Sequence, residues 1–333
     1  MSRVESQLPR SVYTIILGRR HGRPYTPWGS LHLRDRQLRA DLWLALVTLI
    51  WGGTFVVVKN ELANIGPLAF VTLRFTFAFI FMAMLMRRSL ARIGRQQLGA
   101  GLLIGIFLFG GYALQTVGLR YTTASKAAFI TGLCVVLAPV FARLLLGHSP
   151  TIPAVAGVAL ATVGLALLSL VDSPTLAFGD LLVLGCAASF ALHVVAIGRF
   201  APKMDTVALT TVQIGMVAVA GGVATLALEP LPSSVSLGTV GVAALMGLFA
   251  TAFAFSIQNR VQAFTTPTHT ALVLSLEPVF GALFAYLLAG DRLGIREIIG
   301  CLLILSGMLV SELIRGGSPE ESMLPAAAIF DEE

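Results

Sequence analysis

The chain has 333 residues, 56% of them hydrophobic and only 12% charged, with a mean hydropathy of +0.86 and a pI of about 9.6. Soluble domains run at about 45–50% apolar and about 25% charged, so this balance excludes an ordinary water-soluble domain and points to the bilayer as solvent. The basic excess does not signal a nucleic-acid partner. Eight of the 23 basic residues precede position 40, and Arg87, Arg88, Arg92 and Arg95 lie between two apolar runs, where such charges set membrane orientation.

Residues 1–40 are basic, show no sustained periodicity and lack a clean apolar core with a small-residue cleavage site. They read as a cytoplasmic arm, a targeting extension or the product of an upstream start codon. Windows of about 19 residues then predict ten spanning helices, at 42–59, 67–86, 98–119, 122–146, 151–171, 180–199, 206–228, 238–260, 268–289 and 294–314. Residues 315–333 read as a disordered cytoplasmic tail opened by helix-stopping glycines. With the N-terminus inside, 17 Lys and Arg fall on the cytoplasmic side and five fall outside (Lys59, Arg120, Lys126, Arg292 and Arg296), so both termini are expected in the cytoplasm.

The polar residues within these spans are the candidate site. In the first span, Trp51 and Thr54 flank Gly52 and Gly53, which permit a close helix crossing or local unwinding. Arg74, a third of the way into the second span, either ties helices together through backbone carbonyls or presents a fixed positive charge to a substrate anion. Gln115 offers both donor and acceptor to a polar solute. Gly101 and Gly105 read as intramolecular packing rather than a dimer face, and Lys126 as a side chain that snorkels. In the later spans, His193 is a hydrogen-bonded imidazole or a proton carrier, which leaves a coupled proton open. Gln213 and Gln258 complete the amides. Glu277, followed by Pro278, places a carboxylate and a missing backbone donor side by side within "LVLSLEPVFGALFAYLLAG". Together they are expected to hold a substrate ammonium or a proton near the midplane. The three cysteines, Cys134, Cys186 and Cys301, form no CxxC pair or Cys/His cluster, so no metal or other cofactor is expected.

The chain also repeats itself. "DLWLALVTLIWGGTF" from Asp41 aligns with "DLLVLGCAASFALHV" from Asp180 at an offset of 139, which matches Trp51 to Phe190, Thr54 to His193 and Arg74 to Gln213. The offset later becomes 143, matching Gln115 to Gln258, and Gly157 and Gly164 to Gly300 and Gly307. Five helices per repeat is an odd number, so repeats at 41–171 and 180–314 must be inverted in the membrane. That is a transporter architecture with its site at the repeat interface. The fold class expected is all-α, with ten transmembrane helices as two inverted five-helix repeats.

"WGGTF" (Trp51–Phe55), "LRF" (Leu73–Phe75), "YTTASKAAFITGL" (Tyr121–Leu133), "LEPVF" (Leu276–Phe280) and the step Gly290–Leu293 resemble the EamA-like family of the drug/metabolite transporter superfamily. The resemblance covers residues 41–314. It implies a carrier of the bacterial inner membrane that alternates access to a central cavity, commonly an exporter of amino acids or other small polar metabolites. Relatives in the wider superfamily move drugs, nucleotide sugars or phosphorylated sugars. The chain departs from the family pattern in its long basic arm, in Asp291 where Glu is common, and in His193 opposite Thr54.

Three functions compete. A secondary carrier fits the absence of any GxxxxGK[ST] stretch for an ATP-driven engine. A membrane-embedded transferase would need clustered catalytic groups near an interface, whereas Glu277, His193 and Arg74 are scattered in sequence. A passive pore suits paired repeats and off-centre charges less well than alternating access does. The expectation is a carrier and not an enzyme, with a small-molecule substrate and the lipid bilayer as partners.

Overall fold

The computed structural model describes residues 30–90, 93–146, 152–169, 178–230, 234–263, 265, 267–290 and 294–313. All regular elements among them are helical. Residues 1–29 of the expected arm, the tail 315–333 and Asp291 lie outside the described residues.

The first half runs α1 (Ser30–Glu61), α2 (Pro67–Leu90), α3 (Arg95–Gly118), α4 (Ala124–Gly132), α5 (Cys134–Leu146) and α6 (Ile152–Ser169). The second runs α7 (Phe178–Phe200), α8 (Thr206–Leu228), α9 (Leu237–Leu245), a π-helical segment (Met246–Phe253), α10 (Ala254–Gln262), α11 (Pro267–Leu274), α12 (Leu276–Ala289) and α13 (Ile295–Leu313). Local chemistry sets many limits. Pro67 and Pro267 stand at first helical positions, where the missing N–H is not needed. Thr123, Asp205 and Ser236 cap the next backbone amides. Gly290, at φ 74°, ends α12 in the left-handed conformation that suits glycine.

Helix α1 starts at Ser30, so the last part of the basic segment 1–40 continues the first span as helix. Eight stretches among the described residues are long and apolar enough to cross a membrane, where ten were expected. The segments expected at 151–171 and 294–314 fold as α6 and α13, within which Val155–Gly164 and Ile298–Gly307 are shorter apolar helices among the described residues.

Helix α1 packs on α12, α2 on α8, α3 on α7 and α8, α5 on α7, and α6 on α13. The outward faces carry exposed apolar side chains, among them Leu102, Ile106, Val219, Val223 and Leu226. Such faces are covered by hydrocarbon in a membrane protein. Close crossings depend on glycine. A Cβ on Gly52 would stand 2.7 Å from Phe280 Cβ and 2.8 Å from the Gly281 nitrogen, so "WGG" is a tight α1–α12 crossing. Gly164 abuts the Gly300 carbonyl and Gly307 the Gly157 carbonyl, which makes the α6–α13 contact reciprocal. Gly101 and Gly105 seat Val212 and Met216 of α8, an intramolecular use of both glycines. Gly52→Ala should therefore lower the melting temperature in detergent, since overpacking a fitted crossing costs about 1–3 kcal/mol. An unchanged melting temperature would show that α12 can move aside freely.

Three spans are irregular. α4 gives way to α5 at Leu133, and α11 to α12 at Ser275, whose hydroxyl turns back to Leu272 O at 2.6 Å. Between α9 and α10 the helix widens to π geometry, with Ala254 N–H bonded to Phe249 O. Polar ties hold the ends of the bundle. At one end Glu229 caps α2 from another helix, its two oxygens accepting from Leu68 N (2.9 Å) and Ala69 N (3.0 Å). At the other, His269 Nε2 meets Asp41 Oδ1 at 2.8 Å, and Gln97 Nε2 donates to Asp205 O at 2.9 Å. A carboxylate on a helix N-terminus satisfies bare N–H groups and the dipole together. Glu229→Ala should thus destabilise the protein by about 1–2 kcal/mol, read as a lower melting temperature. No change would mean that water replaces the cap fully.

Candidate functional site

The π-helical turn positions the centre of the site. Its Ala250 carbonyl accepts from two side chains on other helices, Trp51 Nε1 of α1 at 2.8 Å and Arg74 Nη2 of α2 at 3.0 Å. A carbonyl has two lone pairs for this purpose, and π turns recur where a helix serves a site. Arg74 also donates from Nε to Thr251 Oγ1 (2.7 Å) and from Nη2 to the Tyr112 hydroxyl (3.3 Å). Its guanidinium lies 4.9 Å from the centre of the Tyr112 ring, at 3% exposure. Arg74 therefore ties helices, in keeping with one of its two sequence readings. Its Nη1 group makes no hydrogen bond among the described residues, which leaves donors for a ligand.

An aromatic box surrounds this centre. Tyr112 meets Phe75 at 4.8 Å and Phe190 at 5.3 Å between ring centroids. Phe255 meets Trp51 at 5.1 Å and His193 at 5.6 Å, and reaches Tyr112 at 6.1 Å. These separations fall within the range where edge-to-face contact is favourable. His193 Nε2 donates to Gln213 Oε1 at 2.8 Å, so the imidazole is a satisfied, buried group.

The structure thus joins Trp51 to Arg74, and His193 to Gln213, and links the two pairs through Phe255 and Tyr112. Other candidates stand apart from these contacts. Thr54 Oγ1 donates to its own helix at Trp51 O, 2.6 Å away. Gln115 Nε2 donates to Thr131 Oγ1 at 3.1 Å. Gln258 is buried, and its Oε1 has no partner among the described residues. Sequence reasoning missed Tyr112 and Phe255, although a signal existed. They sit three residues before Gln115 and Gln258, and so match each other at the same offset of 143.

Glu277 is the second residue of α12, with Pro278 third. At that position the proline's missing N–H is one that a helix start leaves bare, and the carboxylate sits at the positive end of the α12 dipole. The two costs of the sequence therefore meet where each is smallest. Glu277 is partly exposed and makes no ion pair within 4 Å among the described residues. Arg74 and Glu277 thus form no direct ion pair among the described residues.

A separate depression of about 360 Å³ at the Glu229 end is lined by Lys59, Arg120, Tyr121, Thr122, Thr123, Lys126 and Asp180. Lys59 Nζ donates to Leu119 O and Thr122 O, and Thr122 Oγ1 donates to Asp180 Oδ1 at 2.6 Å. Among the described residues no group of three His, Cys, Asp or Glu could hold a metal ion.

Multiple apolar helices around a buried polar centre define a multi-pass membrane protein, and the comparisons with known proteins name its class as membrane transporter. The chain belongs to the EamA-like transporter family, which it matches twice, over residues 38–170 and 177–313. An uncharacterized transporter of Archaeoglobus fulgidus is 36% identical over 281 residues, 84% of this chain and 87% of that protein. The uncharacterized transporter YyaM of Bacillus subtilis is 25% identical over 289 residues, 83% of this chain and 94% of its own. A crystal structure with a TM-score of 0.68 covers 83% of this chain and 98% of its own at 21% identity, which shows the fold. A small-molecule substrate and the lipid bilayer are therefore the partners that membership implies.

Proposed function

We propose that the protein is a secondary carrier that exports small polar metabolites, amino acids foremost, by alternating access at the Arg74–Glu277 region. One observation carries this reading: the buried Arg74 keeps its Nη1 group unbonded and the partly exposed Glu277 makes no ion pair among the described residues. A structural pair would close on itself, because an isolated buried charge is costly. Two separated charges match a zwitterion, whose carboxylate would meet the free Arg74 donors and whose ammonium would meet Glu277 at the start of the broken helix. Trp51, Tyr112 and Phe255 would shape the space between them. Thr54, Gln115, His193, Gln213 and Gln258 would line the remainder.

Ten spans arranged as two inverted five-helix repeats suit this role. Family matches to both halves support the division. So does the exchange of contacts, since Tyr112 with Phe190 has its counterpart in Phe255 with Trp51. The basic-residue count supports a cytoplasmic position for the Asp41 end and both termini, with a bacterial inner membrane as the membrane proposed. Counterflow in proteoliposomes against amino acids, nucleosides, sugars and cationic drugs tests the proposal. Counterflow of an amino acid is the expected result, its dependence on a pH gradient would establish proton coupling, and selective counterflow of drugs or sugars would replace the substrate class.

A further inference from the structure

A buried polar atom without a partner forfeits its hydration, at about 1–3 kcal/mol, so such atoms are few and informative. Among the described residues three amide oxygens on one helix share that state: Gln258 Oε1, Asn259 Oδ1 and Gln262 Oε1 of α10, at 1%, 0% and 0% exposure. Thr270 Oγ1 of α11 is equally buried and has no partner among the described residues. The donor ends of two of these amides are occupied. Asn259 Nδ2 donates to Thr210 Oγ1 at 2.6 Å and Gln262 Nε2 to Val194 O at 2.9 Å. Unsatisfied acceptors therefore remain.

Their spacing gives them direction. Phe255, Gln258 with Asn259, and Gln262 follow one another at helical intervals along one face of α10. Phe255 is the ring that joins Trp51, Tyr112 and His193 in the central cluster. The stripe thus leads from the aromatic box toward the end of the bundle where His269 of α11 holds Asp41 of α1. Helix adhesion does not account for it, because interhelical amide bonds contribute only about 0.6 kcal/mol each on average. Acceptors in excess call for a donor, and an alkylammonium brings up to three N–H groups on one atom.

We propose that Gln258, Asn259, Gln262 and Thr270 line a second station of the solute path, specific for N–H donor groups, and that the Asp41–His269 pair closes the path beyond it. The proposal rests on the carrier reading and extends it to a station between the central cluster and the Asp41 end. In this structure the pair is joined and the station is sealed from the surface. When the pair parts, a solute ammonium passes from Glu277 to these oxygens.

Thiol accessibility in the full chain tests this without a known substrate. Cys134, Cys186 and Cys301 are replaced by Ala, and single reporters are introduced as Gln262→Cys, Thr270→Cys and, one turn along α1 from Trp51 of the central cluster, Thr54→Cys. Membrane vesicles of either orientation are treated with aminoethyl or sulfonatoethyl methanethiosulfonate, each rate being divided by that on a free thiol. Opening the latch by Asp41→Leu, or by His269→Phe where the first variant folds poorly, should raise the rates at Gln262→Cys and Thr270→Cys by about tenfold, the weight of one hydrogen bond of about 1.4 kcal/mol. The ammonium reagent should lead the sulfonate there. Equal normalised rates would overturn the donor station. Inert reporters beside a reactive Thr54→Cys would overturn the path but leave the central site standing, and inertness at all three would remove both.

Discussion

Glu277→Gln should lower counterflow by about 10- to 100-fold while expression and melting temperature stay close to those of the unaltered protein. The separation of the two effects follows from the surroundings of Glu277. Its carboxylate makes no ion pair within 4 Å among the described residues, so an amide of the same shape removes little that holds the fold together. The loss of a favourable position on the α12 dipole costs only about 0.3–1 kcal/mol. A charge-assisted bond to a substrate ammonium contributes about 1.5–3 kcal/mol, which is the source of the expected fall in transport. Wild-type counterflow in the variant would sink the assignment and leave Glu277 as a helix-start residue. A lower melting temperature with proportionate loss of transport would point to packing instead.

Arg74→Gln should impair both transport and stability, which sets it apart from Glu277. The substitution places in the first half the residue that its repeat partner, Gln213, carries in the second. It deprives Thr251 and Tyr112 of donors, while Ala250 O keeps Trp51. Each lost hydrogen bond to a charged group costs about 1.5–3 kcal/mol, offset in part because a buried charge is also removed. The net expectation is about 1–3 kcal/mol of destabilisation, with counterflow reduced at least as much as in Glu277→Gln. Arg74→Lys keeps the charge but loses the planar fork that serves several partners, so it should rescue stability only in part and raise the substrate KM. Normal counterflow in Arg74→Gln would assign Arg74 to tying helices alone.

Part of the candidate site is legible in the amino-acid sequence. Arg74, His193, Gln213 and Glu277 stand out because polar groups are conspicuous in apolar windows, and windows are all that hydropathy needs. Tyr112 and Phe255 do not stand out, since an aromatic residue is ordinary in a membrane span. Only their placement around Arg74, Trp51 and His193 marks them. Asn259 and Gln262 stand beside Gln258 in the chain, yet their unsatisfied oxygens follow from which neighbours the crossing helices supply. The Asp41–His269 contact joins residues 228 positions apart, beyond any local pattern.

The sequence by itself determined the solvent, the helical class, the family resemblance and most helix limits, because burial in lipid forces backbone hydrogen bonds to close within each segment and proline, glycine and capping residues mark the ends. It did not determine where a span breaks. Leu133 and Ser275 interrupt their helices, and Met246–Phe253 widens to π geometry, within stretches as apolar as their unbroken neighbours. Tertiary structure decided those points. A broken turn is stable only where another helix or side chain satisfies the carbonyls it leaves, as Trp51 and Arg74 do at Ala250, and that partner is fixed by packing rather than by the local sequence.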